Sequence, residues 1–230
     1  MVSVSWDEAY RIIFSRYPVV GIFDGISAPA DLEAIFELEA RTNERVRDEI
    51  GEIALVRPAD RIAGPGTTPV MAAFTHSKPS RFSDGTFGVY YAARERDTAI
   101  AETVHHVALF YRQSNEASAD IDMRAYVARV NGSFDDLRSA PPTDPRLDPA
   151  SYAAGQSYGR ALHDANDADG IVYPSVRDPG RCECVACFRP RTISACRTHG
   201  YLTYRWDGVQ KKIVGVTARE FLSGFGPAPD

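Results

Sequence analysis

Hydrophobic and polar positions follow two different periods along this chain, and the change from one to the other falls near residue 50. Before it, WDEAYRIIFSRY carries helical signals, as does DLEAIFELEARTNERVRDEI after the breaker-rich GIFDGISAPA. In the second run Leu32, Ile35, Phe36 and Leu38 gather near one face and charges cover the rest, the pattern of an amphipathic helix. From residue 52 the pattern turns to short β-like runs broken by Gly and Pro: IALVR, TFGVYYA, RAYVARV, GIVYP and ECVACFRP. A terminal hairpin follows, in which YLTYRW and KKIVGV flank Asp207-Gly208. Two helices interrupt the strands, one from about Arg96 through AIAETVHHVALFYR and one in YAAGQSYGRALHD, which ends before the turn residues NDADG. Between them SAPPTDPRLDP reads as a surface loop and not a linker, because neither flank would be a complete domain alone. The pattern predicts an α+β domain over residues 51–230, with a split, mostly antiparallel sheet and flanking helices, and a helical extension over residues 1–50 packed on it.

Composition narrows the function classes. The 230 residues, 44% of them hydrophobic, suffice for a substantial core. A formal net charge of −5 gives no general field for holding a polyanion, so nucleic acid is not the expected partner and local arginines must do any phosphate binding. No apolar run approaches the roughly 18 residues of a membrane span, and MVSVSWDEAY carries acids where a signal peptide carries positive charge. A cytoplasmic protein is the expectation.

Candidate chemistry concentrates in HSKPSRFSDGTFGVYYAARERDTAIAETVHH, residues 76–106. Arg81 lies where a loop enters a strand, and a guanidinium there can fork onto a phosphate or carboxylate, or simply pair with Asp84 or Asp97. In the strand, alternation puts Phe87, Val89 and Tyr91 on one side and Tyr90 on the other. Tyr91 is either core or a ring on which a flat substrate stacks. The next helix has its main apolar stripe along Ile100, Val104, Val107, Ala108 and Tyr111, and Glu102 projects to the opposite side. Periodicity alone calls Glu102 exposed, although Leu109 on the same side allows that face to meet protein. Glu102 and His105 at i, i+3 resemble half of a carboxylate-bridged metal site, but no second Glu-x-x-His follows.

Two further patterns compete. Cys182, Cys184, Cys187 and Cys196 fall within 15 residues, but their spacing lacks paired C-x2-C knuckles, and reduced thiols are expected in place of a metal. Gly155-Gln156-Ser157-Tyr158-Gly159 satisfies G-x-S-x-G, which would make Ser157 a nucleophile served by His163 or His199. The segment before Ser157 is small, polar and helix-like, whereas a nucleophile elbow follows a buried strand.

The strings RFSDGTFGVYYAARERDTAIAETVHH and DGIVYPSVR resemble the core of the RES domain, over roughly residues 54 to 190. That resemblance implies an ADP-ribosyltransferase-like fold and the toxin of a toxin–antitoxin pair, which cleaves NAD⁺ at the nicotinamide–ribose bond. It implies transfer of ADP-ribose to water, phosphate or a protein, NAD⁺ as substrate with no separate cofactor, and a cognate Xre-type antitoxin as partner. By motif it assigns Arg81, Tyr91, Glu102 and Ser175 to the site, with Glu102 against the ribose, Tyr91 at the nicotinamide pocket and Ser175 placing the amide or a ribose hydroxyl. A further arginine for the diphosphate falls on Arg61, with Arg57 competing. The chain has no G-x-G-x-x-G after a strand, consistent with NAD⁺ being broken and not used as a hydride carrier.

Overall fold

Eighteen residues, Ala119–Asp136, form the longest strand of the fold and set its shape. The computed structural model describes residues 1–15 and 51–219 of the chain. Among these, the strands are β1 (Val2–Phe14), β2 (Tyr90–Ala93), β3 (Ala119–Asp136), β4 (Gly170–Pro174), β5 (Glu183–Cys187), β6 (Arg197–Asp207) and β7 (Lys212–Arg219). The α-helices are α1 (Thr68–Thr75), α2 (Arg96–Gln113) and α3 (Ala153–Ala165). One edge of β3 pairs antiparallel with β1. Its other edge is shared, with β6 taking Ala119–Val127 and β4 running parallel to Phe134–Asp136. From β4 the pairing continues to β5, to β2 and back to β1 at Tyr10↔Ala93, so five strands close a ring and β6–β7 extend from it as a hairpin. This is a mostly antiparallel split sheet of an α+β fold, as the pattern predicts.

Apolar side chains leave the sheet on both faces. On one, Val4, Trp6, Tyr90, Val130, Phe134 and Val185 pack with Val70, Met71 and Phe74 of α1. On the other, Ile171, Tyr173, Ala186, Leu202 and Trp206 pack with Val107 and Ala108 of α2. All five residues of β4 are buried, which is why GIVYP reads as an unbroken apolar run. The α2 stripe through Ile100, Val104, Val107, Ala108 and Tyr111 faces this second layer. No helix among the described residues is long and apolar enough to cross a membrane.

Three local expectations are corrected. WDEAYRIIFSRY is strand through Phe14 and not helix, and the cause is a β-bulge. Trp6 pairs with Val130 and Ala9 with Ala128, so β1 spends three residues where β3 spends two. Before the bulge Val2, Val4 and Trp6 face the first core; after it Ala9 and Ile13 do, while Tyr10, Ile12 and Phe14 face the second. That phase slip breaks the period of two and leaves a spacing that mimics a helix. Residues 1–14 are therefore part of the sheet, and the second helix predicted within residues 1–50 lies outside the described residues. IALVR is not a strand: Ile53–Leu55 is a 3-10 turn, and Pro58–Asp60 forms another just beyond. PGTTPVMAAFTH, to which the pattern assigns no element, contains α1, opened by Pro69 and burying Val70, Met71 and Phe74.

Candidate active site

Register brings the chain segments of the site together. Cys184 of β5 lies between Tyr173 of β4 and Ala93 of β2, and Ala186 lies between Ile171 and Tyr91. Strands β2 and β4 thus run the same way, and both deliver their carboxyl ends to one edge. Beyond β2 the chain turns into α2, which carries Glu102; beyond β4 it enters the loop that carries Ser175 and Arg177.

Glu102 and Ser175 meet at that edge. The Ser175 hydroxyl donates to Glu102 Oε1 at 2.6 Å and accepts from the backbone N–H of Arg177 at 3.1 Å and of Asp178 at 3.0 Å. Its donor and both acceptor directions are in use, and the side chain is fully buried. Ser175 therefore orients the carboxylate, a different task from the substrate contact that the resemblance assigns to it. Glu102 is half-buried and not exposed, and the loop after β4 covers it; Leu109, further along the same side, stays exposed.

Arg81 sits at the tip of a tight turn in which the Ser80 N–H donates to Ser83 O at 2.7 Å. It is buried, donates from Nη1 to Asp148 O at 2.9 Å and lies over the Tyr152 ring, 4.8 Å from its centroid. Neither acid considered from the sequence pairs with it; Asp84 binds Arg160 instead. Among the described residues no carboxylate meets the Arg81 guanidinium.

Tyr91 fixes this turn. Its hydroxyl accepts from the Phe82 N–H at 3.0 Å and shares a hydrogen bond with Ser80 Oγ at 2.9 Å, so it holds the residues on both sides of Arg81. Burial is the main reason its phenol is pushed up to about 12, so it remains a protonated hydroxyl. Gln156 Nε2 adds a bond to Ser80 O at 3.0 Å.

The G-x-S-x-G pattern belongs to this scaffold as well. A Cβ on Gly155 would stand 2.5 Å from Arg81 O and 2.9 Å from Arg146 O, and one on Gly159 would collide with Phe82 O. The two glycines share one face of α3 and let it lie against the Arg81–Phe82 backbone. Ser157 points outward and donates back to Ala153 O at 3.0 Å. His163 stacks on Phe87 and His199 packs against Tyr10, so neither serves Ser157 as a base. The serine-hydrolase alternative is thereby corrected: Ser157 lies inside a helix, not at a strand-to-helix elbow.

Arg61 is directed elsewhere. Its Nε donates to Val56 O at 3.0 Å and its Nη2 to Ile53 O at 3.4 Å, which ties it to the turn that packs on the first core. Arg57 bonds Asn166 Oδ1 at 2.5 Å. Neither hydrogen bond joins Arg81, Glu102 or Ser175.

Two side chains that sequence reasoning passed over stand at the site, although both lie in DGIVYPSVR. Tyr173 is 5% exposed, packs edge-on to Phe82 at 5.1 Å and makes no hydrogen bond among the described residues. Burial pushes its phenol well up; Cys184, Glu102 and Tyr91 push the same way and Arg81 opposes them. Arg177 donates from Nη2 to Pro149 O at 2.8 Å, and its buried Nε has no hydrogen-bond partner among the described residues. Burial lowers the imidazole of His105 to about 4, with Arg177 the next cause and Glu102 opposing it. His106 is lowered too, by desolvation and then by Arg177 and Arg81. No cluster of three or more His, Cys, Asp or Glu suited to a metal ion occurs among the described residues, and no disulfide joins the four cysteines, of which Cys184 and Cys187 lie in opposite cores.

Residues 58–207, more than half of the chain, match the family described as RES domain. This chain is a RES-domain protein. It is also similar to Uncharacterized protein y4oC of Sinorhizobium fredii, 29% identical over 206 residues that cover 89% of this chain and 85% of that protein. The match takes in Arg61, Arg81, Tyr91, Glu102, Ser175 and Arg177. In this RES-domain protein the strands β1 and β7 fall outside the matched residues, yet both are hydrogen-bonded into the sheet.

Proposed function

We propose that this RES-domain protein is the toxin of a toxin–antitoxin pair and cleaves NAD⁺ at the nicotinamide–ribose bond, passing ADP-ribose to water or phosphate. The observation that carries the reading is the part-buried Ser175–Glu102 hydrogen bond, together with an Arg81 that has no acidic partner among the described residues. As the C–N bond breaks, its electron pair leaves with nicotinamide and positive charge grows on the ribose. A carboxylate fixed in place stabilises that charge more than it stabilises bound NAD⁺, which lowers the barrier. Ser175 holds one Glu102 oxygen and leaves the other for the ribose. Water or phosphate then forms the new C–O bond, and a proton passes from the acceptor to solvent. Arg81 supplies the counter-charge for the diphosphate, and the unpartnered Tyr173 hydroxyl offers a donor to the polar groups of the ribose or amide.

The toxin reading adds a partner, a cognate Xre-type antitoxin. The deciding measurement is mass spectrometry of products from purified protein and NAD⁺, with phosphate, without phosphate and with cell lysate. Free ADP-ribose or its phosphate ester supports the reading. A discrete labelled protein in the lysate reassigns the same site to protein ADP-ribosylation, and unchanged NAD⁺ under all three conditions overturns it.

A further inference from the structure

The resemblance supplies two arginines for the diphosphate, Arg81 and Arg61, but Arg61 is spent on the carbonyls of its own turn. The structure offers another. Arg81 and Arg177 reach one short stretch of the proline-rich loop, Arg81 binding the carbonyl of Asp148 and Arg177 that of Pro149. These are consecutive carbonyls, whose Cα atoms stand about 3.8 Å apart across a trans peptide. Two guanidinium groups gathered on one dipeptide repel each other, and an anion between them offsets that repulsion. The nearby acids are engaged elsewhere: Glu102 with Ser175, Asp178 with Thr98 and the Gly180 N–H, and Asp148 with the Ala150 N–H. Among the described residues neither guanidinium has a carboxylate partner: Arg81 is held by a carbonyl and the Tyr152 ring, Arg177 by a carbonyl. Burial is the main cause of the lowered His105 and His106 imidazoles, and Arg177 is the next cause at both.

We propose that Arg177 and Arg81 together form a clamp for adjacent phosphates, with the Asp148–Pro149 carbonyls setting the spacing of the two guanidinium groups. This rests on the NAD⁺ reading for the identity of the substrate, whose diphosphate the clamp would hold while Glu102 faces the ribose. Arg177 would thus be a binding residue, while its backbone N–H helps to hold Ser175. A guanidinium suits this task because its fork can keep a carbonyl and still offer donors to a phosphate.

The test pairs calorimetric titration of inorganic pyrophosphate with NAD⁺ kinetics, on wild type, Arg177→Gln and a control, Arg205→Gln, which loses an exposed charge paired with Asp120. Losing charge-assisted bonds should weaken pyrophosphate binding and raise KM for NAD⁺ by roughly 10- to 100-fold. The kcat should stay within about threefold, and Arg205→Gln should behave as wild type. Unchanged pyrophosphate affinity and KM in Arg177→Gln overturn the clamp and leave NAD⁺ cleavage standing. Pyrophosphate binding that needs Arg177 in a protein that consumes no NAD⁺ keeps the clamp and removes the NAD⁺ reading. If Arg177→Gln melts below the assay temperature, Arg177→Lys is read in its place. Wild-type affinity for pyrophosphate there overturns the fork requirement, and a loss of about tenfold supports it.

Discussion

Replacing Gly155 by alanine tests whether the turn that carries Arg81 is held by the close approach of α3. The added Cβ would lie 2.5 Å from Arg81 O and 2.9 Å from Arg146 O, where ordinary contact begins at 3.4 Å, so roughly 1 Å of separation is missing. Both neighbours are backbone, so no rotamer change relieves the clash; the helix or the turn must shift. Overpacking of this kind costs about 1–3 kcal/mol, and a clash against two backbone oxygens belongs at the upper end. Alanine regains up to about 1 kcal/mol of helix propensity. The net is a loss of about 2 kcal/mol, which for a protein of this size lowers Tm by about 4–8 °C. Moving Arg81 by about 1 Å should also cut the rate of NAD⁺ consumption on the order of 100-fold. Thermal melts followed by circular dichroism and single-time-point NAD⁺ assays read both effects. Ser157→Ala, an outward-facing change two residues along the same helix, is the control and should stay within about 0.5 kcal/mol with its activity kept. A Gly155→Ala protein that melts at or above wild type would refute the reasoning, because helix propensity would then be acting without opposition.

Three other outcomes follow from the site. Glu102→Gln keeps an oxygen for the Ser175 hydroxyl but loses the charge, so NAD⁺ cleavage should fall on the order of 100- to 1,000-fold with Tm nearly unchanged; wild-type turnover would remove Glu102 from the chemistry. Ser175→Ala strips the acceptor from two backbone N–H groups and the donor from Glu102, so it should cost about 1–3 kcal/mol in urea unfolding as well as activity, unlike Glu102→Gln. His105 has its pKa lowered from 6.5 to about 4, so the unfolded chain takes up its proton first as the solution is acidified. Its contribution to stability is then complete above about pH 6.5 and is lost on descending toward pH 4; solvent screening reduces it to about 1 kcal/mol or less. His105→Gln should flatten the melting profile over that interval, and an identical profile would show that the shift has no energetic weight.

What could be read from the sequence depended on whether one local period held. GIVYP and α2 each keep one pattern over their length and lie where the pattern puts them; the β6–β7 hairpin does too, although its register slips between Arg205 and Trp206. The bulge after Trp6 switches the phase inside β1, and a period-two signal interrupted in this way cannot be recognised without its partner β3. IALVR failed for another reason: Arg61 side-chain donors satisfy carbonyls that a strand would have paired with a neighbour. At the site, Arg81, Tyr91, Glu102 and Ser175 were all legible through their motifs, but not their division of labour. That Tyr91 braces both flanks of Arg81, or that Ser175 spends its hydroxyl on Glu102, depends on contacts between residues 9 to 73 positions apart. Gly155 and Gly159 show the converse, since a correct local pattern suggested a nucleophile when the glycines were there for packing.

The ring closure by β1 has a practical side. A fragment cut to the matched residues 58–207 would keep Arg81, Glu102 and Ser175 but leave one entire side of β3, from Met123 to Phe134, as a raw edge with its amide and carbonyl groups unpaired. Loss of β7 would open a second such edge on β6. Exposed edges of this length invite pairing with other chains, so the residues matched to the family are fewer than those the sheet needs to keep its edges paired.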